Sequence, residues 1–245
     1  MKLLLIDAGN TRIKWAIALP GAALGEWETS HAAPHADLVD IAAAWRRAGI
    51  GRAFIANVAG PDVRARIAQA LPEAITVDWF ASTHARAGLL NGYRNPAQLG
   101  CDRFAAAIGA RALAPGQDLI VATCGTATTI DAVRADGLFI GGMILPGLAL
   151  MATSLARNTA GLPQVLPGAA PPPLFGDNTD DAIVSGILSA QAGAIERACA
   201  AHGTRGASAC IVSGGAAPYI APALKVAHRL VDNIVLVGLH AAAAA

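Results

Sequence analysis

Residues 3–17 read LLLIDAGNTRIKWAI, and residues 119–133 read LIVATCGTATTIDAV. Each stretch has an apolar strand-like run, a glycine-centred turn with small hydroxyl or amide side chains, and a second β-prone run. Aligned without a gap, Gly9 matches Gly125 at an offset of 116 residues. A repeat at this distance indicates two similar domains rather than a solenoid, whose repeats span roughly 20–50 residues. Two unrelated hairpins of similar composition are the alternative.

Strand and helix patterns alternate around these two hairpins. Apolar spacing predicts helices over 37–48, 61–71, 101–113 and 179–201, and strands over 52–58, 75–80 and 207–212. Thr179 precedes two acids and an apolar-periodic run, so we expect it to cap the last of these helices. Such alternation argues for an α/β fold with covered sheets. A boundary near Pro115 divides the chain into domains 1–115 and 116–245.

The composition excludes several classes of protein. The chain has 245 residues, of which 54% are hydrophobic and 14% charged, which excludes intrinsic disorder. A net charge of +1 gives no electrostatic reason to expect nucleic acid or anionic lipid as a partner. The 4 cysteines have neither zinc spacing nor the density of a disulfide scaffold, so we expect reduced thiols.

One segment is long enough to cross a membrane. Residues 138–156 carry no charge, yet they contain Gly141-Gly142 and Pro146-Gly147. These pairs favour a strand, a turn and a helix start in a folded domain over a lipid-facing helix. At the N-terminus, the apolar run of residues 3–6 ends at Asp7 and is too short for a signal peptide, so no export is expected.

The first glycine turn carries residues that suit phosphate chemistry. Asp7 ends an apolar run and is followed by Gly9, Asn10 and Thr11. Backbone N–H groups of such a turn can hold phosphate oxygens, while the carboxylate organises a hydrated Mg²⁺. Lys14 could neutralise further phosphate charge. The alternative is an ordinary hairpin turn, for which Asp, Gly and Asn are also typical.

The second glycine turn extends this hypothesis. Gly125 and Thr126 open another turn with hydroxyl side chains, so two facing domains could hold a triphosphate from both sides. Gly214-Gly215 ends a third strand-like run and would admit a nucleotide close to the backbone. The chain contains neither a G-x-x-x-x-G-K-[ST] loop nor a G-x-G-x-x-G fingerprint, so an ATP site here is of another type.

Gly100, Cys101, Asp102 and Arg103 stand at the start of a predicted helix. The positive helix end would keep Asp102 ionised with a depressed pKa, and Arg103 could bind a carboxylate through two hydrogen bonds. An ionised carboxylate can orient a hydroxyl and accept its proton, and a loose phosphoryl-transfer transition state tolerates a weak base. The alternative is a helix start with an ordinary first-turn acid.

Together these segments resemble the type III pantothenate kinases, in motif order and in spacing. The motifs are DAGNTRIKW at 7–15, GCDRFAAAIGAR at 100–111, CGTATTIDAV at 124–133, GGMILPG at 141–147 and NTDDAIVSG at 178–186, with GG at 214–215 and DNIVLVGL at 232–239. The resemblance implies the acetate and sugar kinase/Hsc70/actin fold, in which two ribonuclease-H-like domains (a duplicated βββαβαβα) enclose ATP in the cleft between them. It implies transfer of the γ-phosphoryl group of ATP to the primary hydroxyl of pantothenate, the first step of coenzyme A biosynthesis.

The resemblance also implies roles for single residues. Asp102 is the expected proton acceptor, and Asp7 acts on Mg²⁺ through water. The expected ATP-binding residues are Asp7, Ala8, Gly9, Asn10, Thr11, Arg12, Ile13, Lys14, Thr126, Gly214 and Gly215. The expected substrate-binding residues are Tyr93, Gly100, Cys101, Asp102, Arg103 and Thr179, with Arg103 facing the pantothenate carboxylate.

One position departs from the family pattern. Thr123 stands where many members have an aspartate that holds a monovalent cation, so we do not predict a K⁺ requirement. The resemblance further implies a cytoplasmic homodimer whose substrate pocket includes the subunit interface. Two alternatives stay open: a kinase of the same fold that acts on another small acid or a sugar, and a regulatory protein that binds ATP without transferring phosphate.

Overall fold

The computed structural model describes residues 1–168, 170–202 and 208–245. The chain forms two compact units, one of residues 1–113 with 233–245 and the other of residues 114–232. The predicted boundary near residue 115 lies close to the division at 113. The expected second domain, 116–245, differs from the second unit because residues 233–245 belong to the first.

The first unit is built on a five-stranded sheet. Its strands are β1 (Lys2–Ala8), β2 (Arg12–Ala18), β3 (Thr29–Pro34), β4 (Ile50–Asn57) and β5 (Thr76–Phe80), followed by the short hairpin β6 (Ala85–Arg86) and β7 (Leu89–Asn91). Its helices are α1 (Leu38–Arg47), α2 (Pro61–Ala70), α3 (Cys101–Leu113) and α7 (Ile234–Ala244). The sheet order is β3-β2-β1-β4-β5. β1 pairs antiparallel with β2 and parallel with β4.

Both faces of this sheet are covered, which explains the nearly continuous apolar run of β1. On one face, Trp15 and Trp45 pack edge to face, with ring centroids 6.1 Å apart, in a core that includes residues of α1 and α2. A chain of rings runs from Phe54 through Phe80 to Phe104 of α3. Helix α7 also contacts β1, so it helps to cover the sheet. The start of α3 is therefore held firmly beside the carboxyl ends of the sheet strands.

The second unit repeats this arrangement. Its strands are β8 (Leu119–Cys124), β9 (Ala127–Val133), β10 (Leu138–Pro146), β11 (Ala209–Ser213) and β12 (His228–Leu230), in the order β12-β11-β8-β9-β10. Its helices are α4 (Leu148–Asn158), α5 (Thr179–His202) and α6 (Ala217–Ile220). β8 pairs antiparallel with β9 and parallel with β11, as β1 does with β2 and β4. The predicted duplication of an α/β unit is confirmed.

The two hairpins match less simply than the ungapped alignment predicts. Ala8 pairs with Ile13 across the first turn, whereas Cys124 pairs with Thr128 across the second. The first turn is therefore one residue longer, and the correspondence between β2 and β9 shifts by one position. The two glycines still match as the alignment predicts. After the turns, however, the residues of β2 and β9 that correspond in the structure differ by one position from the ungapped alignment.

Helix α7 joins the first unit because it packs against α3. Its residues are apolar apart from His240, and Ile234 to Leu239 are all buried. A Cβ on Gly238 would lie 1.7 Å from the carbonyl oxygen of Ala105, and a Cβ on Gly109 would lie 2.7 Å from the carbonyl oxygen of Ile234. The two glycines thus allow the helix backbones to touch. No local pattern in the sequence shows which sheet a terminal helix covers.

Two further expectations can be compared with the structure. Residues 138–156 form β10, a turn and most of α4, as predicted. Helix α5 begins at Thr179, but its cap is Asn178, whose Oδ1 accepts the N–H of Asp181 at 2.9 Å, so the prediction of a Thr179 cap is wrong by one residue. The predicted strand 207–212 corresponds to β11, with residue 207 outside the described residues. Searching the described residues yields no helix both long and apolar enough to span a bilayer.

Candidate active site

Three predicted site residues meet in the first unit. Asp7 lies near the end of β1 and pairs in the ladder with Lys14 of β2. Its side chain is only 7% exposed, and burial raises its pKa from the ordinary 3.8 to about 6. The Lys14 ammonium opposes this rise, and the Asp102 carboxylate adds to it, so both charged groups act on Asp7 directly. The structure therefore brings together residues that are almost a hundred positions apart.

The loop that follows Asp7 is anchored at its base and exposed at its tip. The carbonyl oxygen of Ala8 accepts the N–H of Val58 at 3.0 Å, and the N–H of Gly9 donates to the carbonyl oxygen of Arg12 at 3.1 Å. Asn10 and Thr11 are exposed. A tight turn with an exposed tip is the geometry that a phosphate-binding loop requires.

Some of the predicted ATP-binding residues of this loop have side chains that a ligand could not reach. Ala8 and Ile13 are fully buried in the core, so only their backbone groups could contact a ligand. The Arg12 guanidinium donates from Nη2 to the carbonyl oxygen of Ala32 at 2.9 Å, on the neighbouring strand β3. Arg12 is therefore at least partly engaged in holding the hairpin to the sheet.

Asp102 lies in the first turn of α3, with its carboxylate folded back on the helix end. Its Oδ1 accepts the N–H of Arg103 at 2.8 Å. A Cβ on Gly100 would lie 2.6 Å from that oxygen, so glycine leaves the room the carboxylate occupies. The expectation of a depressed pKa is wrong: burial raises the pKa of Asp102, more than the backbone N–H groups and Arg103 lower it. A raised pKa makes Asp102 a stronger proton acceptor than an ordinary aspartate.

Arg103 and Tyr93 also come together. Arg103 is buried, with 6% exposure, and its Nη1 donates to the Tyr93 hydroxyl at 2.8 Å. Its guanidinium carbon lies 5.7 Å from the Tyr93 ring centroid. Arg103 therefore lies in the interior of the unit, with its guanidinium held beside Tyr93.

Asn91 is a positioning residue that sequence reasoning missed. Its buried amide accepts the N–H of Tyr93 at 3.1 Å and donates to the carbonyl oxygens of Thr83 and Pro96 at 3.2 and 3.1 Å. One side chain thus ties together the loop that presents Tyr93. An asparagine at the end of a three-residue strand has no sequence pattern that would reveal such a role.

Cys101 is a packed thiol next to this site. Its Sγ donates to the carbonyl oxygen of Asn57 at 3.6 Å. Burial, helped by the charges of Asp102 and Asp7, raises the pKa of the thiol to about 11. The group stays a neutral thiol at neutral pH and is not an activated nucleophile.

In the second unit, three glycine segments meet around one turn. The N–H of Gly147, at the start of α4, donates to the carbonyl oxygen of Thr126 at 2.9 Å, and a Cβ there would lie 2.1 Å from the carbonyl oxygen of Gly125. Gly214 has φ of +99°, and a Cβ there would lie 2.2 Å from the carbonyl oxygen of Cys124. At both glycines, the neighbours of the turn 125–126 are therefore backbone atoms that approach closely. The sequence analysis did not single out Gly147 as a site residue.

Three further positions considered in the sequence analysis lie in the second unit. Gly215 is exposed with open space where a Cβ would be, so backbone strain does not require glycine there. Thr179 is exposed as the first residue of α5. Thr123 is half-buried and pairs with Thr129 across the β8–β9 ladder.

The acidic residues of the site suit a divalent cation that keeps its water ligands better than one coordinated directly by several protein side chains. Within the described ranges, no group of three or more His, Cys, Asp or Glu side chains could hold a metal ion. Asp7 is a buried carboxylate whose ionisation is opposed both by burial and by Asp102. A nearby Mg²⁺, which keeps several waters, would offset both effects with one protein ligand acting through water.

The pKa of Asp7 gives a prediction for stability. Because folding raises this pKa to about 6, the metal-free protein loses stability from Asp7 as the pH rises from 4 through 6. We expect Asp7→Asn to raise the Tm of metal-free protein by about 3–6 °C near pH 8 and to change it little near pH 4. Thermal unfolding in a chelator at both pH values measures this, and an equal shift at both would contradict it. Mg²⁺ should then stabilise the unsubstituted protein more than the variant.

Comparisons with known proteins agree on one family. A family model described as type III pantothenate kinase matches residues 3–201. The type III pantothenate kinase of Herminiimonas arsenicoxydans is 55% identical, with 98% of this chain and 97% of that protein covered. The corresponding protein of Janthinobacterium sp. (strain Marseille) is 52% identical over 98% and 97%.

Solved structures with low sequence identity share the fold. A protein of Sinorhizobium meliloti, described as a candidate 2-dehydro-3-deoxygalactonokinase, has a TM-score of 0.61 at 17% identity, covering 98% of each chain. The activator of 2-hydroxyisocaproyl-CoA dehydratase from Clostridium difficile, solved with bound ADPNP, has a TM-score of 0.55 at 13% identity, covering 99% of this chain and 93% of that one. The chain shares its duplicated α/β fold with both proteins, as the family resemblance implied.

Proposed function

The chain belongs to the type III pantothenate kinase family, and from this membership we propose how its own residues carry out the reaction. Its activity is the ATP-dependent phosphorylation of pantothenate, which places it in coenzyme A biosynthesis. We propose that the γ-phosphoryl group passes to the primary hydroxyl of pantothenate and that the product is 4′-phosphopantothenate. The observation that carries the assignment of roles is the half-buried Asp102 carboxylate at the start of α3, whose charge acts on Asp7, the ladder partner of Lys14.

Asp102 is the proposed proton acceptor. The pantothenate hydroxyl oxygen forms its bond to the γ-phosphorus as the bond from phosphorus to the β–γ bridging oxygen breaks and ADP leaves. The hydroxyl proton passes to the Asp102 carboxylate, whose pKa burial has raised. The bond to Arg103 N–H holds one carboxylate oxygen in place. Positioning and charge neutralisation supply most of the remaining rate, because the transition state of phosphoryl transfer is loose.

The loop of residues 7–14 is the proposed first phosphate site. The exposed Asn10 and Thr11 lie at its tip, where backbone N–H groups and a hydroxyl can contact phosphate oxygens. Lys14, half-buried and beside Asp7, adds positive charge. Mg²⁺, held by Asp7 through water, would neutralise charge on the ATP phosphates.

In the second unit, Thr126 and the Gly214-Gly215 pair are the proposed nucleotide contacts. The turn at residue 126 is exposed, and Gly214 packs against the strand that leads into it. We do not predict a K⁺ requirement, because Thr123 offers only neutral oxygens, which would hold a monovalent cation more weakly than the charged ligand expected at this position.

Arg103 and Tyr93 are the proposed acceptor site, with Gly100, Cys101 and Thr179 as further contacts. A guanidinium can hold a carboxylate through two parallel hydrogen bonds, and the Tyr93 hydroxyl fixes one side of it. Pantothenate carries one carboxylate at the end opposite its primary hydroxyl. This arrangement would therefore orient the acceptor by its charged end.

A substitution at Arg103 tests the acceptor site. We expect Arg103→Lys, which keeps the charge but loses the planar fork, to raise the KM for pantothenate about 10- to 100-fold. For the primary amide of pantothenate, which lacks the charge, the change should be about threefold or less. Steady-state release of ADP measures both, with Arg47→Lys at the exposed end of α1 as the matched control. Equal increases for both acceptors would contradict the role of Arg103.

We also propose that the protein works as a homodimer in the cytoplasm. In the second unit, Leu174 and Phe175 are 65% and 88% exposed, just before the helix that begins at Thr179. Neighbouring exposed apolar side chains are typical of interfaces, and a partner there would lie beside a proposed substrate contact. All four cysteines are free thiols, which suits a reducing compartment. A solution mass equal to one chain would contradict the dimer.

A further inference from the structure

His35 makes a contact with the proposed phosphate loop that no sequence motif indicates. It follows the last residue of β3, in a short turn of 3-10 helix at His35–Asp37. Its Nε2 lies 2.8 Å from the carbonyl oxygen of Gly9. Because a carbonyl oxygen can only accept, Nε2 carries the hydrogen and donates it.

This hydrogen bond determines the orientation of the peptide group between Gly9 and Asn10. The peptide between Gly9 and Asn10 is trans, so its C=O and N–H point in opposite directions. With the Gly9 oxygen turned toward His35, the N–H of Asn10 is turned away from it, at the exposed tip of the loop. The Asn10 N–H therefore points to the side of the loop opposite His35, where a ligand at the exposed tip could accept it.

Without this bond, little would hold the peptide in that orientation. Glycine permits rotation about its backbone bonds that other residues resist, so the Gly9–Asn10 peptide could turn over at small cost. The bond from Gly9 N–H to the carbonyl oxygen of Arg12 restrains the other side of the residue only. His35 therefore restrains a peptide plane that the bond between Gly9 and Arg12 does not restrain.

His35 is itself held in place from two directions. Pro34 pairs with Arg12 across the β2–β3 ladder, which keeps the start of the turn beside the loop. From helix α2, the Arg66 guanidinium donates to the carbonyl oxygen of His35 at 2.7 Å. The Nδ1 atom of the ring is buried and has no hydrogen-bond partner among the described residues, so the ring directs its polar contact at Gly9.

We propose that His35 is a positioning residue, which orients the Gly9–Asn10 peptide so that the Asn10 N–H faces the ATP phosphates. The inference rests on the proposed role of residues 7–14 as a phosphate loop and deepens it. It concerns nucleotide affinity, and it leaves the acceptor site and the proton acceptor unaffected.

The test compares His35→Leu, which removes the donor, with His35→Gln, whose amide N–H can reach the place of Nε2. We expect His35→Leu to raise the Kd of a non-hydrolysable ATP analogue, measured by calorimetry, and the KM for ATP about three- to tenfold. His35→Gln should stay within about twofold of the unsubstituted protein, and the KM for pantothenate should not change in either variant. His31→Leu, which removes an exposed histidine of β3, is the matched control.

The result that would overturn the inference is an unchanged nucleotide affinity in His35→Leu, or an equal loss in His35→Gln while both variants keep the Tm of the unsubstituted protein. Parallel increases in both KM values would also overturn it, because they indicate a general disturbance. Since the affinity is measured without turnover, an unsubstituted protein that fails to phosphorylate pantothenate would contradict the proposed function and still leave the role of His35 tested.

Discussion

Replacing Asp102 with asparagine is expected to lower kcat by about 10²- to 10⁴-fold, the range that a positioned general base contributes. Asparagine fills the same volume and can still accept the N–H of Arg103, but its amide oxygen does not take the hydroxyl proton. Burial raises the pKa of the carboxyl, so its removal also relieves an unfavourable buried charge. The variant should therefore fold at least as stably as the unsubstituted protein.

The lower kcat of Asp102→Asn must come from a slower chemical step and not from weaker binding of ATP. We expect the Kd of a non-hydrolysable ATP analogue to change by less than about threefold, because Asp102 is not assigned to the nucleotide. Single-turnover kinetics and calorimetry on the same preparation separate the two quantities. A variant that keeps more than about a tenth of the original kcat would show that the proton has another acceptor.

Replacing Gly238 with alanine is expected to have the largest effect on stability. The new Cβ would lie 1.7 Å from the carbonyl oxygen of Ala105, and a backbone atom in a helix cannot move aside alone. Helix α7 must therefore shift away from α3, with an expected loss of about 2–4 kcal/mol and a Tm lower by about 5–12 °C. Since α3 also carries Asp102, kcat should fall together with stability.

A glycine with open surroundings provides the control. Gly186 is exposed in the middle of α5, and no atom lies within 4 Å of the position of its Cβ. Alanine there should raise the free energy of unfolding by about 0.4–1 kcal/mol, because it restricts the unfolded chain and favours the helix. Thermal and denaturant unfolding measure both variants. A Gly238→Ala protein as stable as Gly186→Ala would mean that α3 and α7 do not make the close contact.

Local patterns predicted many of the helices and strands, and they suggested most residues of the candidate site. The range 101–113 is predicted to the residue for α3, since its apolar spacing agrees with the tertiary structure. The repeated glycine hairpins indicate the duplication, because a strand, a tight turn and a second strand each leave a short-range signature. Asp7 and Asp102 are singled out by chemistry at strand and helix ends, and the structure brings them together.

The rest depends on contacts between distant parts of the chain. That α7 covers α3 follows from two glycines more than a hundred residues apart, Gly109 and Gly238. The sign of the pKa shift of Asp102 depends on burial, which outweighs the helix-end effect that the sequence suggests. Asn91 and His35 act through hydrogen bonds to backbone groups, and no residue spacing encodes those bonds.

The most direct test of the central claim is the identity of the phosphorylated product. The purified protein is incubated with ATP, Mg²⁺ and pantothenate, and the product is analysed by mass spectrometry and phosphorus NMR. The account predicts ADP and an equal amount of pantothenate carrying the phosphoryl group on its primary hydroxyl oxygen, with neither formed by Asp102→Asn at a comparable rate. Release of ADP without phosphorylated pantothenate, or a phosphoryl group on the carboxylate, would contradict it.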